Sequence, residues 1–306
     1  MNILVATEKP FAKVAVEQIR KVVEGSGFEL LLLENYKSQD ELLKAVSQAD
    51  ALIVRSDLVT ETVIDAAKKL KIIVRAGAGY DNIDIDSCTS HGVVVMNTPG
   101  QNSNAVAELA FAMMLYMVRY SFSGRNGTEL RGKSIGLHAF GNVGRYMAEI
   151  ALGFGMEVSA FDPFIDDNIF RSAEIRKCNS VDELYTTCQY VSLHLPLNND
   201  TIGSVGYDLL KRMPGDAVLV NVARKEIIVE KDLVKIFGER NDFLYLSDIV
   251  PDCIAQLEEK YKGRYLFTAK KMGAQTEEAN SNAGIAAVSQ IVDYFTTGNE
   301  KYRVNK

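Results

Sequence analysis

The chain has 306 residues, enough for two domains of ordinary size, and its 47% hydrophobic and 24% charged composition is that of a globular protein. Its net charge of −6 gives no overall attraction to a phosphate backbone or to anionic lipid, which argues against nucleic acid and membrane partners. A small anionic ligand is compatible with this charge, because a pocket needs only a few local cations.

Cysteine usage and the amino terminus predict a cytoplasmic protein. The four cysteines are widely spaced and include no CxxC pair, so we expect reduced thiols, no disulfide frame and no bound metal. The apolar run after Met1 is too short for a signal peptide. The most apolar helical stretch, 109–118, is shorter than a membrane span, and we interpret it as a buried or interface helix.

Short β-branched runs alternate with helical patterns along the whole chain. Helices are predicted between the strands and most clearly at 11–23, 61–70, 102–120 and 276–297. The predicted strands are 3–6, 30–33, 51–54, 72–74 and 93–96, followed by 134–138, 157–161, 190–193, 217–221 and 243–247.

This alternation predicts two doubly wound α/β lobes, each with a parallel sheet covered on both faces, and a cleft between them. The break falls near 97–100, and the last helix returns to complete the first lobe. The predicted domains are therefore 1–98 with 278–306, and 99–277.

The second lobe begins with a candidate dinucleotide-binding turn, AFGNVG at 139–144, between a strand and a helix. Gly141 lets a pyrophosphate approach the backbone, and Gly144 lets the helix pack on the strand. The helix amino terminus offers free N–H groups to the phosphates. Alanine replaces the first glycine, and we expect Ala139 to keep a negative φ to accommodate its Cβ.

A second strand ends at Asp162, 18 residues after Gly144. A carboxylate at this position accepts hydrogen bonds from ribose hydroxyls and repels a 2′-phosphate. Together with the glycine turn, it predicts a Rossmann NAD-binding domain and favours NAD over NADP. The alternative is an ordinary turn between a strand and a helix.

Further motifs follow predicted strands or overlap their ends: RSD at 55–57, VRAGAGYDNID at 74–84, NTPGQNSNAVAEL at 97–109, LHLPLNNDT at 193–201, NVARKEIIVEKDL at 221–233 and AQTEEAN at 274–280. With Asp248, they occur in the order typical of the D-isomer-specific 2-hydroxyacid dehydrogenases, which the chain resembles from end to end. Within this family it is most similar to short D-3-phosphoglycerate dehydrogenases. Because it ends at Lys306, we expect no carboxyl-terminal regulatory domain.

The resemblance implies a flavodoxin-like substrate domain beside the Rossmann domain, and specific roles by position. Arg224 matches the arginine that holds the substrate's carboxylate and carbonyl, a bidentate task suited to a guanidinium. Ala78 stands where threonine is common, so we expect one hydroxyl contact fewer. The positions of substrate contacts are Arg55, Ser56, Arg75, Gly77 and Asn102. The positions of cofactor contacts are Ala78, Gly141, Asn142, Val143, Gly144, Asp162, Leu195, Pro196, Val222, Ala223, Asp248, Gly273 and Ala274.

The chain departs from the family at the acid–base pair, which is normally a histidine and a glutamate. Lys271 occupies the histidine position and Cys253 the glutamate position. A lysine needs desolvation and nearby positive charge to lower its pKa, and a paired glutamate would raise it. Losing both partners together is therefore chemically coherent, with Lys270 and Arg224 as the expected cationic neighbours.

Two alternatives to Lys271 as proton carrier remain. Lys271 could bind a substrate phosphate while a water carries the proton, or the chain could be a non-catalytic NAD-binding scaffold. A displaced carboxylate could also assist Lys271. The candidates for it are Asp252, Glu258 and Glu259.

The resemblance implies NAD-dependent oxidation of a D-2-hydroxy acid, with Arg224 and Lys271 as catalytic residues. The expected reaction is 3-phospho-D-glycerate to 3-phosphohydroxypyruvate, as in serine biosynthesis, in a homodimer formed through the NAD domain. The alternative enzyme is a glyoxylate or hydroxypyruvate reductase.

Overall fold

A computed structural model describes the whole chain, residues 1–306. The strands are β1 (Asn2–Thr7), β2 (Glu29–Glu34), β3 (Ala51–Val54), β4 (Ile72–Arg75), β5 (Val94–Asn97), β6 (Ser134–His138), β7 (Glu157–Phe161), β8 (Arg176–Lys177), β9 (Tyr190–Leu193), β10 (Val218–Asn221), β11 (Leu244–Ser247) and β12 (Tyr265–Phe267). The helices are α1 (Lys13–Gly25), α2 (Gln39–Val46), α3 (Glu61–Ala66), α4 (Ile85–Ser90), α5 (Ser103–Val118), α6 (Asn142–Gly153), α7 (Asp167–Ser172), α8 (Val181–Thr187), α9 (Tyr207–Leu210), α10 (Glu230–Glu239), α11 (Ile254–Lys260) and α12 (Glu277–Thr297).

The chain folds as two compact units. The first comprises Met1–Asn102 and Gln275–Lys306, and the second comprises Ser103–Ala274. The sequence placed the divisions after residues 98 and 277, so each observed division lies a few residues away.

The first unit contains a five-stranded parallel sheet in the order β2-β1-β3-β4-β5. Val5 of the central strand β1 lies opposite Leu32 of β2 and Ile53 of β3, which fixes the register. The strand order reverses between β1 and β3, as in doubly wound flavodoxin-like sheets. The predicted α/β fold of this lobe is confirmed.

Alternating residues of these strands bury both faces of the sheet. Leu4 of β1 and Leu52 of β3 join a core cluster with α2, α3 and α4. Ile3 and Ile53 join the cluster on the other face, with α1 and α12. Helix α12 begins after Thr276, whose hydroxyl accepts the Ala279 N–H, so the predicted helix start is confirmed.

The second unit contains a seven-stranded parallel sheet in the order β12-β11-β10-β9-β6-β7-β8. Its order reverses between β6 and β9, the topology of a dinucleotide-binding fold. The edge strands β8 and β12 were missing from the sequence-based list. They have only two and three residues: Arg176–Lys177 is charged, and Tyr265–Phe267 is an apolar run shorter than the predicted strands.

Helix α5 is apolar around most of its circumference, as the sequence indicated. It buries Ala110, Phe111 and Met114 among other residues, whereas Tyr116 remains exposed. No helix of the chain combines the length and the apolar character that a membrane crossing requires.

Candidate active site

The turn after β6 has the shape of a dinucleotide-binding loop, but one expectation about it was wrong. Ala139 adopts φ +81°, in the left-handed region, whereas the sequence analysis expected a negative φ. The Ala139 N–H is bound to the Phe161 carbonyl at 2.9 Å, and the chain must turn at once to begin α6 at Asn142. The tight turn therefore dictates the conformation, and the alanine side chain tolerates it at an energetic cost.

The two glycines of the turn have the predicted geometry for a bound pyrophosphate. A Cβ added at Gly144 would lie 2.6 Å from the Ala139 carbonyl oxygen, so only glycine permits this approach of α6 to the turn. A Cβ at Gly141 would meet no protein atom within 4 Å, so the space beside it is open for a ligand. No side chain caps the start of α6, which leaves its first N–H groups, at Asn142 and Val143, available to phosphate.

Asp162 follows β7 and is buried beside this turn. Its carboxylate accepts the Phe140 N–H at 2.8 Å and the Phe164 N–H at 3.0 Å. The side chain thus connects the glycine turn with the loop after β7. Its position at the strand end fits the predicted contact with ribose hydroxyls.

Two histidines lie at the strand ends where the order of the sheet reverses. Burial lowers the pKa of His138 to about 4 and that of His194 to about 3, so both rings are neutral near pH 7. His138 is buried, and its Nδ1 lies 3.2 Å from the Tyr185 hydroxyl. Both ring nitrogens of His194 are buried without a partner, which fits a position beside a bound polar ligand. Leu195 and Pro196 follow in the same loop.

Arg224 and Lys271, the predicted catalytic residues, converge on one main-chain atom. Arg224 Nη1 and Lys271 Nζ each donate to the Ala223 carbonyl oxygen at 3.1 Å. Their nitrogens therefore lie within about 6 Å of each other, the range in which like charges disfavour the ammonium form of a lysine. Lys271 is exposed as a whole residue, and so is Lys270, the second expected cationic neighbour.

Asn221 shapes the turn that presents this carbonyl. It is fully buried at the end of β10, where its Oδ1 accepts the Ala223 N–H at 3.0 Å and its Nδ2 donates to the Arg224 carbonyl at 3.0 Å. These two bonds fix the backbone on both sides of the Ala223 carbonyl. Val222, in the same turn, is buried.

Asp248 holds the loop that carries Lys271. Its carboxylate is 1% exposed and accepts the Thr268 hydroxyl at 2.9 Å, the Met272 N–H at 2.9 Å and the Gly273 N–H at 2.8 Å. A Cβ at Gly273 would lie 2.9 Å from an Asp248 oxygen, so glycine permits this close approach. Ala274 continues the loop and is half-buried.

The structure places the carboxylate of Glu230 beside Cys253. Cys253 is buried, and its N–H donates to Glu230 at 2.7 Å. Burial, with Glu230 next to the thiol, raises the pKa of Cys253 to about 12. Asp252 is ion-paired with Lys225 at 2.5 Å. The other two candidates, Glu258 and Glu259, are exposed on α11.

In the first unit, the predicted substrate residue Arg55 follows β3. Its guanidinium is hydrogen-bonded to the Asn280 side chain and lies 5.2 Å from the centre of the Phe11 ring. Burial lowers the pKa of Arg55 from its ordinary value, and the nearby Asp57 carboxylate opposes this shift. Ser56, next in the loop, is exposed.

Arg75 and Gly77, at the end of β4, support the same loop. Arg75 Nε donates to the Arg55 carbonyl at 2.8 Å. A Cβ at Gly77 would lie 1.5 Å from Arg75 Nη1, and Gly77 has φ +149°, so the guanidinium occupies space that any side chain would fill. Ala78 is exposed. Asn102, the last residue of the segment Met1–Asn102, is half-buried.

Sequence reasoning missed four polar residues that hold these loops. Asn221 and Glu230 do so in the second unit, and Asp57 and Asn82 do so in the first. Each lies inside or next to a quoted motif, and Asn221 ends an apolar strand, which is a signal for a polar role at a sheet edge. The others make contacts with residues far along the chain, which spacing alone does not reveal.

The family model of the D-isomer specific 2-hydroxyacid dehydrogenase catalytic domain matches residues 4–305. The chain belongs to this family. It is 33% identical over 274 residues to D-3-phosphoglycerate dehydrogenase of Methanocaldococcus jannaschii, covering 83% of this chain and 51% of that protein. It is 32% identical over 286 residues to hydroxypyruvate reductase of Thermotoga maritima, covering 86% of this chain and 90% of the reductase.

A solved structure of the family is more similar still. The NAD+-bound 3-phosphoglycerate dehydrogenase of Entamoeba histolytica has a TM-score of 0.88 and 46% identity, covering 100% of this chain and 99% of that one. The predictions of family and fold are confirmed, and the similarity indicates a dehydrogenase that uses NAD. The chain spans about half the length of several D-3-phosphoglycerate dehydrogenases that it matches.

Proposed function

We propose that this chain is an NAD-dependent dehydrogenase that oxidises 3-phospho-D-glycerate to 3-phosphohydroxypyruvate, with Lys271 in the place of the family's catalytic histidine. The observation that carries the proposal is the shared contact of Lys271 and Arg224 with the Ala223 carbonyl. It puts an amine next to the arginine assigned to the substrate. The 46% identity with the E. histolytica enzyme over the whole chain supports the substrate.

The cofactor is assigned to the glycine turn, with its phosphates on the α6 amino terminus and its adenosine ribose on Asp162. The open space at Gly141 and the close approach at Gly144 support this assignment. NAD, when bound, accepts the hydride that leaves the substrate carbon. The remaining cofactor contacts are assigned to Ala78, Leu195, Pro196, Val222, Ala223, Asp248, Gly273 and Ala274.

Lys271 takes the proton of the substrate hydroxyl during oxidation and returns it in the reverse direction. A lysine with an ordinary pKa near ~10.4 is charged at neutral pH and cannot accept a proton. Arg224 therefore has two roles in this proposal. It binds the substrate carboxylate, and its charge favours the neutral form of the neighbouring amine.

The first unit carries two arginines at positions that the resemblance assigns to substrate. Arg55 and Arg75 supply two guanidinium groups near one loop, and guanidinium matches the planar geometry of carboxylate and phosphate oxygens. A scaffold that only holds NAD has no need of these groups. Their retention favours an enzyme, with Ser56, Gly77 and Asn102 completing the assigned substrate contacts.

A second candidate is reduction of hydroxypyruvate or glyoxylate. The similarity to the T. maritima hydroxypyruvate reductase, which extends over 90% of that protein, favours it. The two activities differ in the demand for phosphate-binding cations. Turnover of 3-phosphohydroxypyruvate, hydroxypyruvate and glyoxylate with NADH distinguishes them, and the absence of any turnover would support the scaffold.

Substitution of Lys271 tests the proton carrier. We expect Lys271→Met to lower kcat by about 10²- to 10⁴-fold, the contribution of a general base, while NADH affinity is unchanged. Lys271→Arg keeps the charge but cannot release a proton, so it should be as inactive as the methionine variant. If Lys271 only bound phosphate, the arginine variant would retain kcat. Lys262→Met, at an exposed lysine outside the assigned site, is the matched control and should stay active.

The pH dependence gives an independent test of the same role. The rate of oxidation should rise with pH through an apparent pKa below that of free lysine, because the neutral amine is the active form. A rate that is constant from neutral to strongly alkaline pH would contradict a neutral lysine as the base.

The biological setting and the assembly complete the proposal. The proposed product, 3-phosphohydroxypyruvate, supports a role in serine biosynthesis. The four unpaired cysteines support a cytoplasmic enzyme. A homodimer formed through the second unit is supported by aromatic side chains exposed at the end of α5, at Tyr116, Tyr120 and Phe122. Sedimentation or light scattering measures the assembly.

A further inference from the structure

Three loops of the first unit meet at the carboxyl end of its sheet, where the strand order reverses. Strands β1 and β3 are neighbours, yet α1 and α3 cover opposite faces of the sheet. The loops leaving β1 and β3 therefore diverge, and ligands of doubly wound sheets bind in such crevices. Arg55 lies in the loop that follows β3.

One buried carboxylate, Asp57, ties the three loops together. Its Oδ1 accepts the Glu8 N–H after β1 at 2.7 Å and the Tyr36 hydroxyl after β2 at 2.9 Å. Its Oδ2 accepts the Arg55 N–H after β3 at 3.2 Å. This carboxylate is 5% exposed and already accepts three protein donors, so it anchors the loops that carry them.

Tyr36 remains a hydrogen-bond donor over the whole pH range of an enzyme assay. Burial, together with Asp57, raises the pKa of Tyr36 well above its ordinary value of 10. The phenol therefore stays protonated and keeps its bond to the carboxylate. It lies directly after Asn35, which has φ +57°, so a tight turn delivers the ring to this position.

The carbonyl groups of the Arg55 loop are held as well. Asn82 Nδ2 donates to the Asp57 carbonyl at 2.7 Å, and Arg75 Nε donates to the Arg55 carbonyl at 2.8 Å. The Arg55 N–H also donates to the Asp57 side chain, so hydrogen bonds of backbone N–H and carbonyl groups fix the segment 55–57. Its rigidity determines where the Arg55 side chain starts.

We propose that Asp57, held by Tyr36, is a positioning residue for substrate: it fixes the loops after β1 and β3 so that Arg55 is placed to bind the substrate's anionic group. This inference rests on the proposed function, which assigns Arg55 to the substrate. It adds a role for two residues that do not themselves contact the substrate.

Three variants of the full chain test the proposal in steady-state assays with NADH and 3-phosphohydroxypyruvate. In Asp57→Asn the side-chain oxygen can keep the Glu8 N–H and the Tyr36 hydroxyl, but the amide group then faces the Arg55 N–H. Tyr36→Phe removes one donor and leaves the carboxylate. Asp50→Asn is the matched control, because Asp50 accepts the Asn2 N–H at 2.7 Å at the opposite end of the same sheet.

We expect Asp57→Asn to raise KM about tenfold and Tyr36→Phe to raise it about threefold, with kcat and NADH affinity nearly unchanged. The reason is that a displaced Arg55 weakens the binding of substrate and of transition state equally. Asp50→Asn should match the wild type. An active wild type with an unchanged KM in Asp57→Asn overturns the positioning role alone. An inactive wild type overturns the proposed function and this inference with it. If Asp57→Asn does not fold, the KM of Tyr36→Phe decides.

Discussion

Replacing Asp248 with asparagine should loosen the loop that carries Lys271. The carboxylate accepts two donors on Oδ1, from Thr268 and Met272, and one on Oδ2, from Gly273. Asparagine retains one oxygen, so its best orientation keeps the first two bonds and turns an NH2 group toward the Gly273 N–H. The variant loses a charge-assisted hydrogen bond and buries two donors against each other.

The expected free-energy loss is about 3 kcal/mol, because a hydrogen bond to a charged group contributes ~1.5–3 kcal/mol and an unsatisfied buried donor costs a similar amount. The loop can open by itself, so the loss should appear as local opening before global unfolding. About 3 kcal/mol corresponds to a roughly 100-fold increase in the population of the open loop.

Amide hydrogen exchange measures this opening directly. We expect exchange at Met272 and Gly273 to accelerate by about two orders of magnitude in Asp248→Asn. Thr268→Val, which removes one donor and leaves both amide contacts, should change exchange far less. Unchanged protection of both amides in Asp248→Asn would show that the carboxylate does not hold the loop.

Two further predictions concern stability. Ala139→Gly should raise the free energy of unfolding by about 1 kcal/mol, because glycine adopts φ +81° without strain, and a lower urea midpoint would contradict this. Folding lowers the pKa of His138 from 6.5 to about 4, so below pH 6.5 the unfolded chain binds a proton that the native chain does not. The contribution of neutral His138 to the free energy of unfolding is complete above pH 6.5 and should fall by about 3 kcal/mol as the pH drops toward 4. When the free energy of urea unfolding is measured against pH, His138→Gln should lack this part of the decrease. An identical pH dependence in the variant would refute the role of His138.

The fold could be predicted because its strands are short, buried and β-branched. The strands Ala51–Val54, Ser134–His138 and Tyr190–Leu193 have the predicted bounds, since each is a buried run between polar segments. The edge strands Arg176–Lys177 and Tyr265–Phe267 lack such a run, because one side of an edge strand faces no neighbour. Their place in the sheet depends on pairing with distant strands.

The sequence motifs predict which residues belong to the candidate site, but not every backbone conformation or contact within it. The convergence of Arg224 and Lys271 on one carbonyl matches the expectation that a cation accompanies the lysine. The sign of φ at Ala139 was wrong, because the tight connection to α6 outweighs the intrinsic preference of alanine. The carboxylate beside Cys253 comes from Glu230, whose contact depends on how α10 packs and not on nearby sequence.

The oxygen that both Arg224 and Lys271 contact belongs to the main chain, and this limits what conventional mutagenesis can show. Exchanging the Ala223 methyl group for another small side chain leaves the carbonyl acceptor in place, so a side-chain scan does not probe this contact. Replacing the amide between Ala223 and Arg224 with an ester by chemical ligation would make the carbonyl a poorer acceptor. That single-atom change would weaken the attachment of the amine and the guanidinium at the same time.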